Sequence, residues 1–249
     1  MRKQINIFDF DGTLTTETWP KFCVWIDKYG FDGSKRNEHL ERALIEYSRT
    51  NNGDLLELFF GFLNKLLADN NAKITLAELA EGEKFITYNP GVFEFFKVSK
   101  VKNFIVSGGL LEFLQGLEIA KYFDGIYGTP ARLDENGFMV GVGEVVTDCK
   151  KIPAILDILK KNGRDRNDCV NVNFIGDGAS DMAAMRYVHE NGGKAIFVHQ
   201  PAGREDEWHE KLTKIYHELN ADGIIDFRCV ADFRQGSELT EILTRPHPR

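Results

Sequence analysis

Two glycine-flanked aspartate pairs stand out in this 249-residue chain: Asp9-Phe10-Asp11-Gly12-Thr13 near the start and Gly176-Asp177-Gly178-Ala179-Ser180-Asp181 far downstream. A hydroxyl followed by two glycines, Ser107-Gly108-Gly109, lies between them. Each group follows a short apolar run, so each is expected at the C-terminal end of a strand, where open parallel sheets bind ligands. Four carboxylates and a hydroxyl would then converge on one small region. Carboxylates held that close repel unless protons or a cation intervene. A hard divalent ion with oxygen ligands, Mg²⁺ first among them, resolves the repulsion.

The elements that must hold these groups can be read from periodicity. Residues 4–10 alternate polar and apolar and then turn at Gly12, the pattern of a short strand. Runs at 103–106 and 170–175 suit buried strands, with further short strands at 125–127 and 195–198. Helical spacing is expected over 92–97, 110–120, 152–161, onward from 179, over 207–219 and past 238. Asp134-Glu135-Asn136-Gly137 suits the turn of a β-hairpin. Strands alternating with helices imply an α/β fold, a doubly wound and mostly parallel sheet covered on both faces.

Between the first and second strands the pattern is helical only. Phe22, Trp25, Ile26 and Tyr29, and again Leu55, Leu58, Phe59, Phe62, Leu63 and Leu66, recur at helical intervals. A stretch from 15 to 89 is too long for an ordinary crossover of about 10–15 residues. The expected organisation is a core domain of residues 1–14 and 90–249 with a helical cap domain of residues 15–89.

Composition narrows the function classes. With 31 basic against 38 acidic residues, a net charge of −7 and no basic run, the chain lacks the footprint of a nucleic-acid binder. No segment reaches about 18 continuous apolar residues, so no membrane span is expected. Met1-Arg2-Lys3 precedes only a short apolar stretch broken by Asp9 and Asp11, which is no signal peptide. Cys23, Cys149, Cys169 and Cys229 are scattered without metal-ligand spacing and read as reduced thiols. A cytoplasmic protein is the expectation.

The first aspartate group, the serine–glycine group, a lysine before a helix and the second aspartate group, in that order, resemble the four motifs of the haloacid-dehalogenase-like hydrolase superfamily. The helical insert and Val106-Ser107-Gly108-Gly109 resemble its phosphoserine-phosphatase-like branch. The resemblance spans Asp9 to Asp181. It implies a Rossmann-like core and a Mg²⁺-dependent phosphomonoester hydrolase whose substrate is a small phosphorylated metabolite, phosphoserine-like esters included. Asp9 would be the nucleophile, forming an aspartyl-phosphate. Asp11, two residues on and therefore expected on the same side of the strand, would be general acid and then base. Its backbone carbonyl would also bind the metal. Ser107 and the N–H groups of Gly108 and Gly109 would bind phosphoryl oxygens. Asp177 would hold the metal with Asp9, and Asp181 would be a second ligand or an orienter.

Two points stay open at this stage. Lys150 and Lys151 are adjacent; Ile155, Ile158 and Leu159 lie at i+4, i+7 and i+8 from Lys151, which favours it as the catalytic lysine. Specificity is left largely to the cap. Glu17, eight residues after Asp9, is a candidate substrate contact, whereas Arg42 and Arg49 sit in no pattern matching the family. Trp19 and Phe22 could wall a pocket. The alternatives are a phosphotransferase or phosphomutase on the same core, or a non-catalytic scaffold binding a phosphorylated ligand. Oligomeric state is not legible.

Overall fold

The computed structural model describes residues 3–16, 55–69, 71–200 and 207–245. Its centre is a six-stranded parallel sheet of β1 (Ile5–Phe8), β2 (Lys102–Leu110), β3 (Gly125–Thr129), β6 (Val172–Gly176), β7 (Lys194–His199) and β8 (Phe227–Val230). The order is β3-β2-β1-β6-β7-β8, so the chain switches direction across the sheet at β1. β4 (Ala131–Leu133) and β5 (Met139–Val142) form a separate antiparallel hairpin around the expected turn. The helices among the described residues are α1 (Leu55–Asp69), α2 (Leu76–Ala80), α3 (Val92–Val98), α4 (Leu111–Gly116), α5 (Ile152–Lys161), α6 (Met182–Glu190), α7 (Glu207–Ala221) and α8 (Glu238–Thr244). None of them is long and apolar enough to cross a membrane.

Strand alternation divides the core into two layers. Phe8, Ile105, Ile175 and Ile196 face α3 and α8, packing on Phe95, Phe96, Leu239 and Leu243. Ile5, Ile7, Val106, Phe174 and Phe197 face α5 and α6, packing on Ile155, Ile158, Met185 and Val188. Both faces are covered, as a parallel sheet requires.

A polar row crosses this apolar centre. Asn6 is in register with Asn103 on one side and Asn173 on the other. Its Nδ2 donates to Asn103 Oδ1 at 3.2 Å, and Asn173 Nδ2 donates to Asn6 Oδ1 at 2.8 Å. A one-residue slip of any of the three strands would bury carboxamides without partners, so the row pins register. Asn6→Ala should cost about 2–4 kcal/mol, because it deprives one neighbour of an acceptor and the other of a donor. The expected result is a lower urea midpoint at unchanged slope; a loss below about 0.5 kcal/mol would show that the row carries no stability.

Three elements depart from the sequence reading. The helix expected over 110–120 starts only after β2 ends at Leu110, and it breaks at Leu117, which is extended (ψ 148°) before a 3₁₀ turn, Glu118–Tyr122. Val170 stays outside β6 because Asn171 adopts φ 61°, a turn conformation. β8 carries no apolar alternation: it is an edge strand with Phe227 and Arg228 exposed, and pairing with β7 rather than burial defines it.

The two ends of the 15–89 stretch lie side by side. Thr15 and Tyr88 form an antiparallel bridge, and Thr16 N–H donates to Thr87 O at 2.8 Å. The buried Asn89 amide clamps the junction, its Nδ2 donating to Thr13 O at 2.8 Å and Thr15 O at 3.2 Å.

Candidate active site

The site forms beyond the C-terminal ends of β1, β2 and β6, at the switch point of the sheet. Asp9 continues the Ile5–Ile7 face of β1, and its N–H still donates in the ladder to Ile175 O at 2.8 Å. That face looks toward α5, whose N-terminus presents Lys151. Lys151 Nζ donates to Asp9 Oδ1 at 2.9 Å and to Asp181 Oδ1 at 2.6 Å, and its side chain is fully buried. Burial alone would push this amine toward neutrality. The charges of Asp181 and Asp9 and their hydrogen bonds outweigh it and raise its pKa, keeping it charged.

Lys150 points elsewhere. Its Nζ donates to Glu57 Oε1 at 2.7 Å, with Glu144 Oε1 at 3.6 Å, and it is well exposed. Helical register and geometry agree on which lysine turns inward: Lys151 shares the buried face with Ile155, Ile158 and Leu159.

Asp181 organises the opposite side. Its Oδ1 takes Lys151, and its Oδ2 accepts from the N–H groups of Asp177 (3.2 Å) and Gly178 (3.3 Å). Three acceptor positions are therefore used inside the protein, which suits an orienter. Glycines make room for these carboxylates. A Cβ on Gly12 would lie 1.9 Å from Asp177 Oδ2, and one on Gly176 would lie 2.4 Å from Asp181 Oδ2.

One oxygen from each of Asp9, Asp177 and Asp181 lies within 4.8 Å of the others, a spacing that could hold a divalent cation. Asp177 is raised well above the usual carboxylate range by burial and by the charges of Asp181, Asp9 and Asp11. Asp181 is also raised, by burial and Asp9, against the pull of Lys151. One lysine does not neutralise this cluster, and a cation would.

Asp11 reaches the site differently from the sequence expectation. The chain leaves the strand after Asp9 and turns, with the N–H groups of Thr13, Leu14 and Thr15 all directed at Phe10 O. Asp11 is placed by that turn and not by strand alternation. Its carboxylate is outside the three-aspartate cluster, although its charge is felt by Asp177.

The serine–glycine group is a bulge inside β2, where the register with β3 shifts between Val106 and Leu110. Ser107 is buried, and its Oγ accepts from Gly109 N–H at 3.1 Å. Thr129 Oγ1 donates to Gly108 O at 2.7 Å and pins the bulge.

The profile of the family described as haloacid dehalogenase-like hydrolase matches residues 7–186. The chain belongs to that family. Among solved structures it is similar to a HAD family hydrolase from Salmonella enterica serovar Typhi, at 18% identity and a TM-score of 0.62, covering 98% of this chain and 72% of that one. A protein of unknown function from Bordetella pertussis Tohama I matches at 13% identity and a TM-score of 0.63, covering 94% and 100%. A substrate-bound phosphoserine phosphatase matches at 18% identity and a TM-score of 0.58, covering 98% of both chains. At these identities the likeness speaks to fold. No curated protein sequence matches the chain.

Within this haloacid dehalogenase-like core, one site neighbour escaped the sequence reading. Gln200, at the end of β7, donates from Nε2 to Gly12 O at 2.9 Å and braces the turn that carries Asp11. Its position just past a strand end was the available signal. Glu17, Trp19, Phe22, Arg42 and Arg49 lie outside the described residues.

The raised aspartates make a pH prediction. Groups with raised folded pKa values bind protons more tightly in the folded than the unfolded protein. Their contribution is complete below the unfolded value near 4 and is lost as pH rises through the folded values. In EDTA the Tm should therefore fall from pH 5 to pH 8. Saturating Mg²⁺ should raise it by about 5–10 °C at pH 8 and by less at pH 5. A Tm that ignores Mg²⁺ at pH 8 would remove the ion from this cluster.

Proposed function

We propose that this chain is a Mg²⁺-dependent phosphomonoester hydrolase that works through an aspartyl-phosphate on Asp9. The observation that carries the reading is the buried Lys151 bridging Asp9 and Asp181 at a sheet switch point, beside Asp177. Lys151 fixes the Asp9 carboxylate in orientation through its hydrogen bond, as a nucleophile requires. Asp9 attacks phosphorus, the bond from phosphorus to the alcohol oxygen breaks, and the departing oxygen takes a proton from Asp11. In the second half Asp11 takes a proton from water, the water oxygen attacks phosphorus, and the bond to Asp9 breaks. Orthophosphate leaves, Asp9 is a free carboxylate again and Asp11 again carries its proton. Ser107 Oγ and the glycine N–H groups of the β2 bulge donate to the phosphoryl oxygens; Gly109 N–H must exchange Ser107 Oγ for substrate to do so. Mg²⁺ held by Asp9 and Asp177, with the Asp11 carbonyl, would offset the charge that otherwise keeps a carboxylate and a phosphate dianion apart. Asp181 acts behind this set, holding Lys151 and the Asp177–Gly178 backbone.

The substrate is a small phosphate ester; the phosphoserine phosphatases among the fold neighbours put phosphoserine on the panel to be tried. Amino-acid, sugar, nucleotide and alcohol phosphates should be assayed with Mg²⁺ and with EDTA, in ¹⁸O-water. Selective, EDTA-sensitive release of ¹⁸O-labelled phosphate is expected. Transfer to an added alcohol without labelled phosphate would replace the hydrolase by a phosphotransferase, and no reaction from any ester would leave a binding scaffold.

A further inference from the structure

We propose that Leu56, in the first turn of α1, is a fixed wall of this site that sets specificity by excluding bulky alcohol portions; the idea rests on the phosphatase reading. A Cβ built on Gly108 would lie 2.2 Å from Leu56 Cδ2 and 3.3 Å from Val146 O. The glycine of the phosphoryl-binding bulge is thus in van der Waals contact with a residue of the insert, and the space a side chain would take is filled by Leu56. The next residue, Glu57, accepts from Lys150, the neighbour of Lys151. The first turn of α1 therefore runs from the end of β2 to the turn that presents the buried lysine, across two borders of the site.

The wall is fixed because α1 is anchored away from solvent. The Glu57–Lys150 pair is exposed and contributes little by itself. Further along, Phe60, Leu63 and Leu67 are buried. Asn64 grips the hairpin edge, its Oδ1 accepting from Val142 N–H at 2.5 Å and its Nδ2 donating to Val142 O at 3.3 Å. Ile74, beyond the helix, exchanges both backbone hydrogen bonds with Met139 and adds a strand-like edge to the hairpin. Both of those residues are fully buried.

A leucine offers a ligand shape and no hydrogen bond, so it discriminates by volume. Small, unbranched esters fit beneath it and aryl or branched ones meet its methyl groups. Leu56→Ala should raise kcat/KM for 1-naphthyl phosphate relative to ethyl phosphate by about 10-fold or more. Leu56→Phe, which keeps the apolar contact with Gly108, should lower that ratio. A residue that merely packs would shift Tm and leave the ratio alone, so a ratio within twofold of wild type in both variants overturns the proposal. If wild type hydrolyses neither ester, the substrate panel above decides the phosphatase reading separately. Calorimetric titration with 1-naphthyl phosphate and with orthophosphate then decides the wall: tighter naphthyl binding alone in Leu56→Ala supports it, and equal affinities overturn it.

Discussion

Asp9→Asn should cut phosphate release by about 10⁴–10⁶-fold, the scale on which removal of a nucleophile acts. Asparagine keeps the shape of the side chain and an oxygen able to accept from Lys151 Nζ, now 2.9 Å away. It removes one negative charge from a cluster in which Asp177 and Asp181 both feel Asp9. The loss of pairing with Lys151 and the relief of repulsion oppose each other, so Tm should move by no more than about 3 °C. Activity and stability are thereby separated in one variant. The measurement is phosphate release beside a thermal melt in EDTA. More than about 1% of wild-type turnover in a sequence-verified sample would take Asp9 out of the nucleophile's place.

The adjacent lysines should part company just as widely. Lys151→Ala strands two buried aspartates, Asp9 and Asp181, without their counter-charge. Breaking a buried pair from one side costs about 3–5 kcal/mol, which corresponds to a Tm fall of about 6–20 °C for a chain of this size. Turnover should vanish with it. Lys150→Ala removes an exposed pair with Glu57 and should cost less than about 1 kcal/mol, with turnover within a few-fold of wild type. Because the folded pKa of Lys151 is raised, its stabilisation is complete below its unfolded value near 10.4 and is lost only above it. The part of the Lys151→Ala deficit that comes from the lysine's own titration should accordingly stay level between pH 7 and 9. The unpaired aspartates should meanwhile make the variant lose further stability as pH rises. A lysine-150 variant that is dead while the lysine-151 variant turns over would reverse the assignment.

Much of this site was legible because its groups lie at strand ends, where a run of apolar residues meets glycine and aspartate. Ile5 and Ile7 face α5, and Asp9 follows them by simple alternation. Lys151 could be told from Lys150 because α5 has one apolar face. What could not be read was set by contacts distant in sequence. Gln200 reaches Gly12 across 188 positions. Leu56 lies outside the helical stripe read at 55, 58, 59, 62, 63 and 66, and only Gly108 set against it shows what it faces. β8 exists because β7 offers it an edge, and its own residues, Phe227 and Arg228 outward, carry no strand signature. Asp11 illustrates a local failure: alternation was extended one step past the strand, where the chain had already turned at Phe10.

The placement of β1 at the middle of the sheet bears on how the protein is made. Its neighbours are β2, whose Asn103 lies 97 positions after Asn6, and β6, whose Asn173 lies 167 after it. At about 5–20 residues per second, roughly 8–33 s of ribosomal synthesis separate Asn6 from its last partner. For that interval the apolar strand Ile5–Phe8 has emerged with at least one edge unpaired, and for the first part of it with both. The nascent chain must therefore guard this strand against the wrong neighbours. The sheet cannot close around β1 until β6, Val172–Gly176, has been made.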